Sequence, residues 1–134
     1  MGTARIEYQG NLRTKSTHLK SGQSIYTDAP VDNNGKGSTF SPTDLVATAY
    51  VSCMITIMGI YCDKNGINFK KCIADVTKEM ASGPRRVHRL IIEFDLSGND
   101  WTIEQQNTII KVGEACPVAM SVSDDMEVVI NYTF

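Results

Sequence analysis

The chain has 134 residues, 42% of them hydrophobic and 21% charged, a composition that supports one globular domain with its own core and excludes a disordered chain. Thirteen basic against fifteen acidic residues leave a formal net charge of -2. The small basic cluster at Pro84-Arg85-Arg86 is turn-sized, so no nucleic-acid-binding face is expected. The N-terminal Met-Gly-Thr-Ala-Arg-Ile lacks the apolar stretch of a secretory signal. Ile6 stands where an N-myristoylation site requires Ser or Thr. A cytoplasmic location is therefore expected, in which cysteines are reduced by default.

In chain order, Ala4, Ile6 and Tyr8 alternate with Arg5 and Glu7 and predict a first strand. Gly10-Asn11 marks a turn. Leu12 to Thr17 and Ser24 to Ala29 read as two further strands, which together with the first form an antiparallel sheet. Asp32 to Ser38 is a loop by composition. Ser41-Pro42-Thr43-Asp44 is a helix start: Ser41 caps the first amides, Pro42 has the fixed dihedral suited to the first helical position, and Asp44 suits the positive end of the dipole. The helix is expected to run to Cys62 or Asp63 and to stop at Asn65-Gly66.

The stretch from Leu45 to Cys62 has no charge over 18 residues, just short of the roughly 20 that span a bilayer. It carries Thr48, Ser52, Thr56 and Gly59 and has no basic flank, so no membrane span is expected. The better reading is a central helix, apolar on most sides and buried between a sheet and a partner chain.

Cys72, Ala74, Val76 and Met80 share one side of a period-two segment. His88, Leu90, Ile92, Phe94 and Leu96 share one side of the next, and Ser82-Gly83-Pro84 turns between them, which predicts a long antiparallel hairpin. Thr102 and Gln105 have capping-box spacing and open a second helix to about Glu114. Pro117 breaks the chain near Cys116. Met126, Val128, Ile130, Tyr132 and Phe134 alternate with polar residues in a final strand. The fold class is α+β, with mostly antiparallel sheets around one hydrophobic helix, in a single domain over residues 1–134.

The four cysteines are Cys53, Cys62, Cys72 and Cys116. There is no CxxC, and His18 and His88 lie far apart, so no metal site is expected. Cys53 lies within the long helix, on the face of Tyr50, Thr56 and Ile57. Cys62 follows nine positions later, and at about 100° per residue their sulfurs point to opposite sides. Cys62 and Cys72 read as core residues. By elimination Cys116 is the best partner for Cys53. Cys116 precedes Pro117 at a helix start, where free amides would lower its pKa.

Ser41-Pro42-Thr43-Asp44 through Tyr50-Val51-Ser52-Cys53, with eleven positions from Pro42 to Cys53, resembles the helix of the OsmC/Ohr family that carries the first reactive cysteine. Ala115-Cys116-Pro117-Val118 resembles the second. The order of elements is also similar over nearly the whole chain. The resemblance implies an OsmC-like fold, an intertwined homodimer, and a stress-response thiol peroxidase acting on organic hydroperoxides. Cys53 would be the peroxidatic thiolate. Cys116 would resolve its sulfenic acid as a disulfide, and an external dithiol would restore both without a cofactor.

Active members of the family hold an arginine with a glutamate placed directly after the proline. That position is Thr43 here. Asp44 is the candidate substitute, although a helix cap is the better reading of its position. Arg13 is the candidate arginine, with Lys36 as runner-up. The alternative is a non-enzymatic small-ligand-binding or redox-sensing module on the same dimeric fold.

Overall fold

Alternation of polar and apolar residues builds three strands at the N-terminal end, β1 (Ala4–Gly10), β2 (Arg13–His18) and β3 (Ser24–Asp28), paired antiparallel in that order. The computed structural model describes residues 2–134, which fall into two compact units, Met1–Val46 and Ala47–Phe134. The register of the first unit's sheet sets Ile6, Ser16 and Ile25 in one row and Tyr8, Thr14 and Thr27 in the next. Ile6, Tyr8 and Ile25 remain more than half exposed. The only buried residues of this sheet are Thr27 and Asp28 at the end of β3.

Beyond β3 the chain makes a tight loop. The amides of Asn33 and Gly35 both donate to the Pro30 carbonyl, and the Gly37 amide donates to Ala29. A Cβ at Gly35 would lie 1.7 Å from the Ala29 carbonyl oxygen, so only glycine fits. The loop returns to the sheet where the Asp28 amide donates to Phe40.

Helix α1 (Pro42–Lys64) begins where the sequence places its start. The Asp44 amide donates to Ser41 Oγ (3.0 Å), and the Ser41 amide donates to the Asp44 carboxylate (2.9 Å). That reciprocal pair satisfies two amides that the first turn leaves open. The helix ends at Gly66, whose φ of 65° and the Ile67 amide bonded to the Cys62 carbonyl form a Schellman cap.

The second unit holds a three-stranded sheet, β4 (Ile73–Ala81), β5 (Arg86–Asp95) and β6 (Glu127–Thr133), in the order β4-β5-β6. The hairpin of β4 and β5 is antiparallel as expected, with a bulge at His88, opposite the Glu79–Met80 step. The pairing of β5 with β6 is parallel, which differs from the antiparallel arrangement expected from sequence. The reason is connectivity: α2 (Ile103–Glu114) intervenes between the two strands and carries the chain back to the end from which β5 started. Helix α2 opens with the anticipated capping box, Thr102 Oγ1 accepting from the Gln105 amide and Gln105 accepting from the Thr102 amide.

Leu90, Ile92 and Phe94 project from β5 into the core, with Leu96 just beyond it, and join Met54, Met58 and Cys62 of α1 and Ile109 of α2 there. An α2 residue without a side chain allows the helices to approach closely: a Cβ at Gly113 would sit 2.5 Å from Met58 Cε and 3.5 Å from the Met54 carbonyl oxygen. Trp101 closes one end, its indole nitrogen donating to the Asn68 carbonyl (2.8 Å) and its ring edge-on to Phe69.

The central helix is not buried on most sides. Ala47, Tyr50, Val51, Met54, Met58 and Cys62 form one buried stripe, while Val46 and Ile60 remain exposed together with Ala49, Ser52 and Thr56. A single chain supplies packing partners for only one face. The helix is long and apolar enough to cross a membrane by length and composition, and 33% of its most apolar window is buried.

The packing carries a direct test. Leu90→Ala removes a fully buried side chain and should lower unfolding free energy by about 2–5 kcal/mol. Ile91→Ala, on the opposite face of β5, should cost clearly less. Urea unfolding followed through Trp101 fluorescence measures both.

Candidate functional site

Cys53 sits midway along α1, partly accessible, while Cys62 nine residues later is fully buried on the core stripe. The two sulfurs therefore lie on different sides of the helix, as their spacing of nine residues requires. Cys116 follows α2 in the segment Ala115-Cys116-Pro117 and is buried. The Cys53 thiol lies near enough to that of Cys116 to raise its pKa, and all four cysteines are free thiols.

The setting of Cys116 follows from the local chain. Pro117 cannot prolong α2, and the chain reverses into a short 3-10 turn at Ala119–Ser121. The Ala119 amide donates to Cys116 Sγ (3.4 Å), and the Met120 amide donates to the Cys116 carbonyl (3.1 Å). Amides thus surround the sulfur as anticipated. Their effect on acidity is not the anticipated one. Burial pushes the Cys116 thiol up, the amides of Ala119 and Val118 pull the other way, and the neighbouring Cys53 thiol adds to the rise. The net shift is upward, because desolvation of a thiolate outweighs two weak donors.

Three oxygen-bearing side chains, Tyr50, Glu114 and Tyr132, interact with one another, and Tyr50 also with Cys116. Tyr50 is buried one helical turn before Cys53, and its pKa is raised by burial first and then by the charges of Cys116 and Glu114. Tyr132 on β6 donates to the Glu114 carboxylate (3.2 Å), and its pKa is raised by burial and by that carboxylate. Periodicity placed Tyr50 on the face of Cys53. Nothing in it revealed Glu114 and Tyr132, because their meeting depends on how β6 docks.

Arg13 opens β2, opposite Asp28 in the β2–β3 register. Its Nε and Nη2 bond the two Asp28 oxygens at 2.8 and 2.9 Å, and Nη2 also donates to Ser38 Oγ (2.9 Å). Ser38 bonds Asp28 through both its hydroxyl and its amide. Arg13 is thus clamped rather than a free strand arginine, and the carboxylate that clamps it is Asp28. Asp44 carries the cap of α1. Thr43 lies beside that cap, its hydroxyl within 3.2 Å of Ser41 Oγ. Lys36, the other candidate cation, lines the same polar cleft of about 330 Å³ as Arg13, Asp28 and Ser38. The clamp was hidden in the sequence because a strand register was needed to set residue 28 opposite residue 13. Among the described residues no cluster of three or more His, Cys, Asp or Glu side chains could hold a metal.

The Arg13 and Ser38 bonds hold the Asp28 carboxyl well below the usual carboxylate range. A group with a depressed folded pKa contributes stability that is fully present above its unfolded pKa, about 3.9, and is lost as pH falls toward the folded value. Acid unfolding of the wild type should therefore steepen below about pH 4. Asp28→Asn should be less stable at neutral pH and lose part of that acid dependence, which unfolding free energies measured from pH 2 to 7 will register.

The comparisons with known proteins follow this architecture. The OsmC-like protein family matches residues 35–131. A crystal structure from Psychrobacter arcticus 273-4, of a protein proposed to act in osmotic stress and detoxification response, is 42% identical with a TM-score of 0.93, covering 99% of this chain and 96% of that one. An organic hydroperoxide resistance protein OsmC from Legionella pneumophila has a TM-score of 0.74 at 13% identity, covering 100% and 98% of the two chains. An organic hydroperoxide resistance protein from Elizabethkingia anophelis has a TM-score of 0.71 at 14% identity, covering 99% and 96%. Those two likenesses concern the fold alone. No curated protein sequence matches the chain. The family match over most of the chain, together with the close structural relative, establishes that this chain belongs to the OsmC-like protein family.

Proposed function

We propose that the chain is a thiol-dependent peroxidase that reduces organic hydroperoxides, working as a cytoplasmic homodimer. The observation that carries this reading is the proximity of the free Cys53 and Cys116 thiols, close enough for one to shift the acidity of the other. Cys53 is the more accessible of the pair, as an attacking thiol must be, and Cys116 is buried, as suits a resolving thiol held until needed. Relatives of the same fold that are named for organic hydroperoxide resistance support the substrate class.

The Cys53 thiolate attacks a peroxide oxygen, an S–O bond forms, the O–O bond breaks, and the alkoxide leaves and takes a proton to become the alcohol. Cys53 is thereby oxidised to a sulfenic acid. The Cys116 sulfur then attacks the Cys53 sulfur, forming the disulfide and releasing water. An external dithiol restores both thiols through a mixed disulfide. Arg13 is the proposed cation for the Cys53 thiolate, held rigid by Asp28 and Ser38, with Lys36 second. Asp44 supports the site by capping α1, and no metal or organic cofactor is required. Exposed Ile6, Tyr8 and Ile25 on the first sheet, and Val46 and Ile60 on α1, support a homodimer that covers apolar surface.

The second reading, a small-ligand-binding or redox-sensing module on the same dimeric fold, is favoured by one observation: the Arg13 guanidinium is already engaged by Asp28 and Ser38. Ligand retained through purification, detected by native mass spectrometry, supports it, and saturable turnover with dithiol and hydroperoxide counts against it.

Cumene hydroperoxide added to the reduced protein should consume two thiols per chain, leaving Cys62 and Cys72 reduced. Cys53→Ser should consume none, and Cys116→Ser should stop at a dimedone-reactive sulfenate on Cys53. If Cys53 and Cys116 stay reduced while a control thiol peroxidase is oxidised, the enzyme reading fails.

A further inference from the structure

Tyr50 is 6% exposed, and no described residue bonds its hydroxyl, which is not among the fully buried polar atoms and so can be reached from outside the core. A phenol with a buried ring and an accessible, uncommitted hydroxyl is available to a transient partner. Its position is defined by the helix crossing. On α1, Tyr50, Met54 and Met58 follow one another at intervals of four. Met54 and Met58 pack against Gly113 of α2, and Glu114, Ala115 and Cys116 come directly after that glycine. The next turn of the α1 stripe, Tyr50, therefore lies alongside the segment that carries Cys116. Cys53, three residues on from Tyr50, is the residue whose thiol lies near that of Cys116.

We propose that the Tyr50 hydroxyl is the proton carrier for closure of the Cys53–Cys116 disulfide. The inference rests on the peroxidase reading and deepens it. When Cys116 attacks the Cys53 sulfenic acid, the Cys116 S–H bond and the Cys53 S–O bond break while the S–S bond forms. Hydroxide is a poor leaving group and needs a proton as it departs. Tyr50 donates its phenolic proton to the departing oxygen and recovers one from Cys116, so that water leaves and Tyr50 ends unchanged. Burial and the nearby charges of Cys116 and Glu114 keep the phenol protonated at neutral pH, as a donor must be. The other titratable groups facing this point are Glu114 and Tyr132. They are bonded to each other, which leaves Tyr50 as the uncommitted donor of the three.

The test separates the two oxidation steps in the intact protein. Reduced protein is mixed with one equivalent of cumene hydroperoxide, and sulfenate and disulfide are followed by dimedone trapping and mass spectrometry. Tyr50→Phe removes only the hydroxyl. It should form the Cys53 sulfenate at the wild-type rate and close the disulfide more slowly by roughly 10²-fold, so that trapped sulfenate accumulates. Disulfide closure in the wild type should also slow in deuterated water more than sulfenate formation does, a readout that needs no variant. Closure in Tyr50→Phe at the wild-type rate would overturn this proposal while leaving the peroxidase reading intact. A wild-type protein whose Cys53 never forms a sulfenate would overturn both.

Discussion

The second unit is organised by the place where α1 meets the end of α2. Gly113 lets the two backbones come so close that even a single Cβ would collide with Met58. This contact does more than fill the core. Pro117 ends any continuation of the helix shortly afterwards, so the first residues released from α2 emerge against the Tyr50 and Cys53 side of α1. Cys116 is delivered to Cys53 by that geometry. Core packing and the thiol pair share one cause, and the stripe that runs from Tyr50 through Met54 to Met58 serves both.

The electrostatics of the pair follow from the same burial. A cysteine ahead of a turn is placed to receive amide hydrogen bonds, and Cys116 does receive one from Ala119. In water that would favour the thiolate. Behind α1 the cost of desolvating the charge is larger, and the thiol is shifted toward its neutral form. Such a residue is poorly suited to act first and well suited to wait. The first unit balances charge differently: Asp28 is buried yet fully engaged by Arg13 and Ser38, so a charged pair persists where an isolated carboxylate would not.

Much of the local architecture is written in short-range pattern. The Ser41–Asp44 and Thr102–Gln105 boxes are recognisable because a side chain three residues along can reach the open amides of a first turn. The stop at Gly66 is recognisable because a left-handed residue is required there. The hairpin of β4 and β5 shows itself in period-two alternation, and the separation of Cys53 from Cys62 in helical phase. These features depend on chain geometry over a few residues, which is why they can be read without a fold.

The sequence by itself determined where the helices and strands begin, which face of each strand is apolar, and that Cys53 and Cys62 point to different sides of α1. Tertiary structure decided the rest. It made β6 parallel to β5, since the path of α2 chooses the end at which the chain re-enters the sheet. It matched Arg13 with Asp28 through strand register, and it buried one stripe of α1 instead of its whole circumference. It also reversed the expected acidity of Cys116. Burial is a property of everything that surrounds a residue, and no run of neighbours along the chain can state how much water will be excluded from its sulfur.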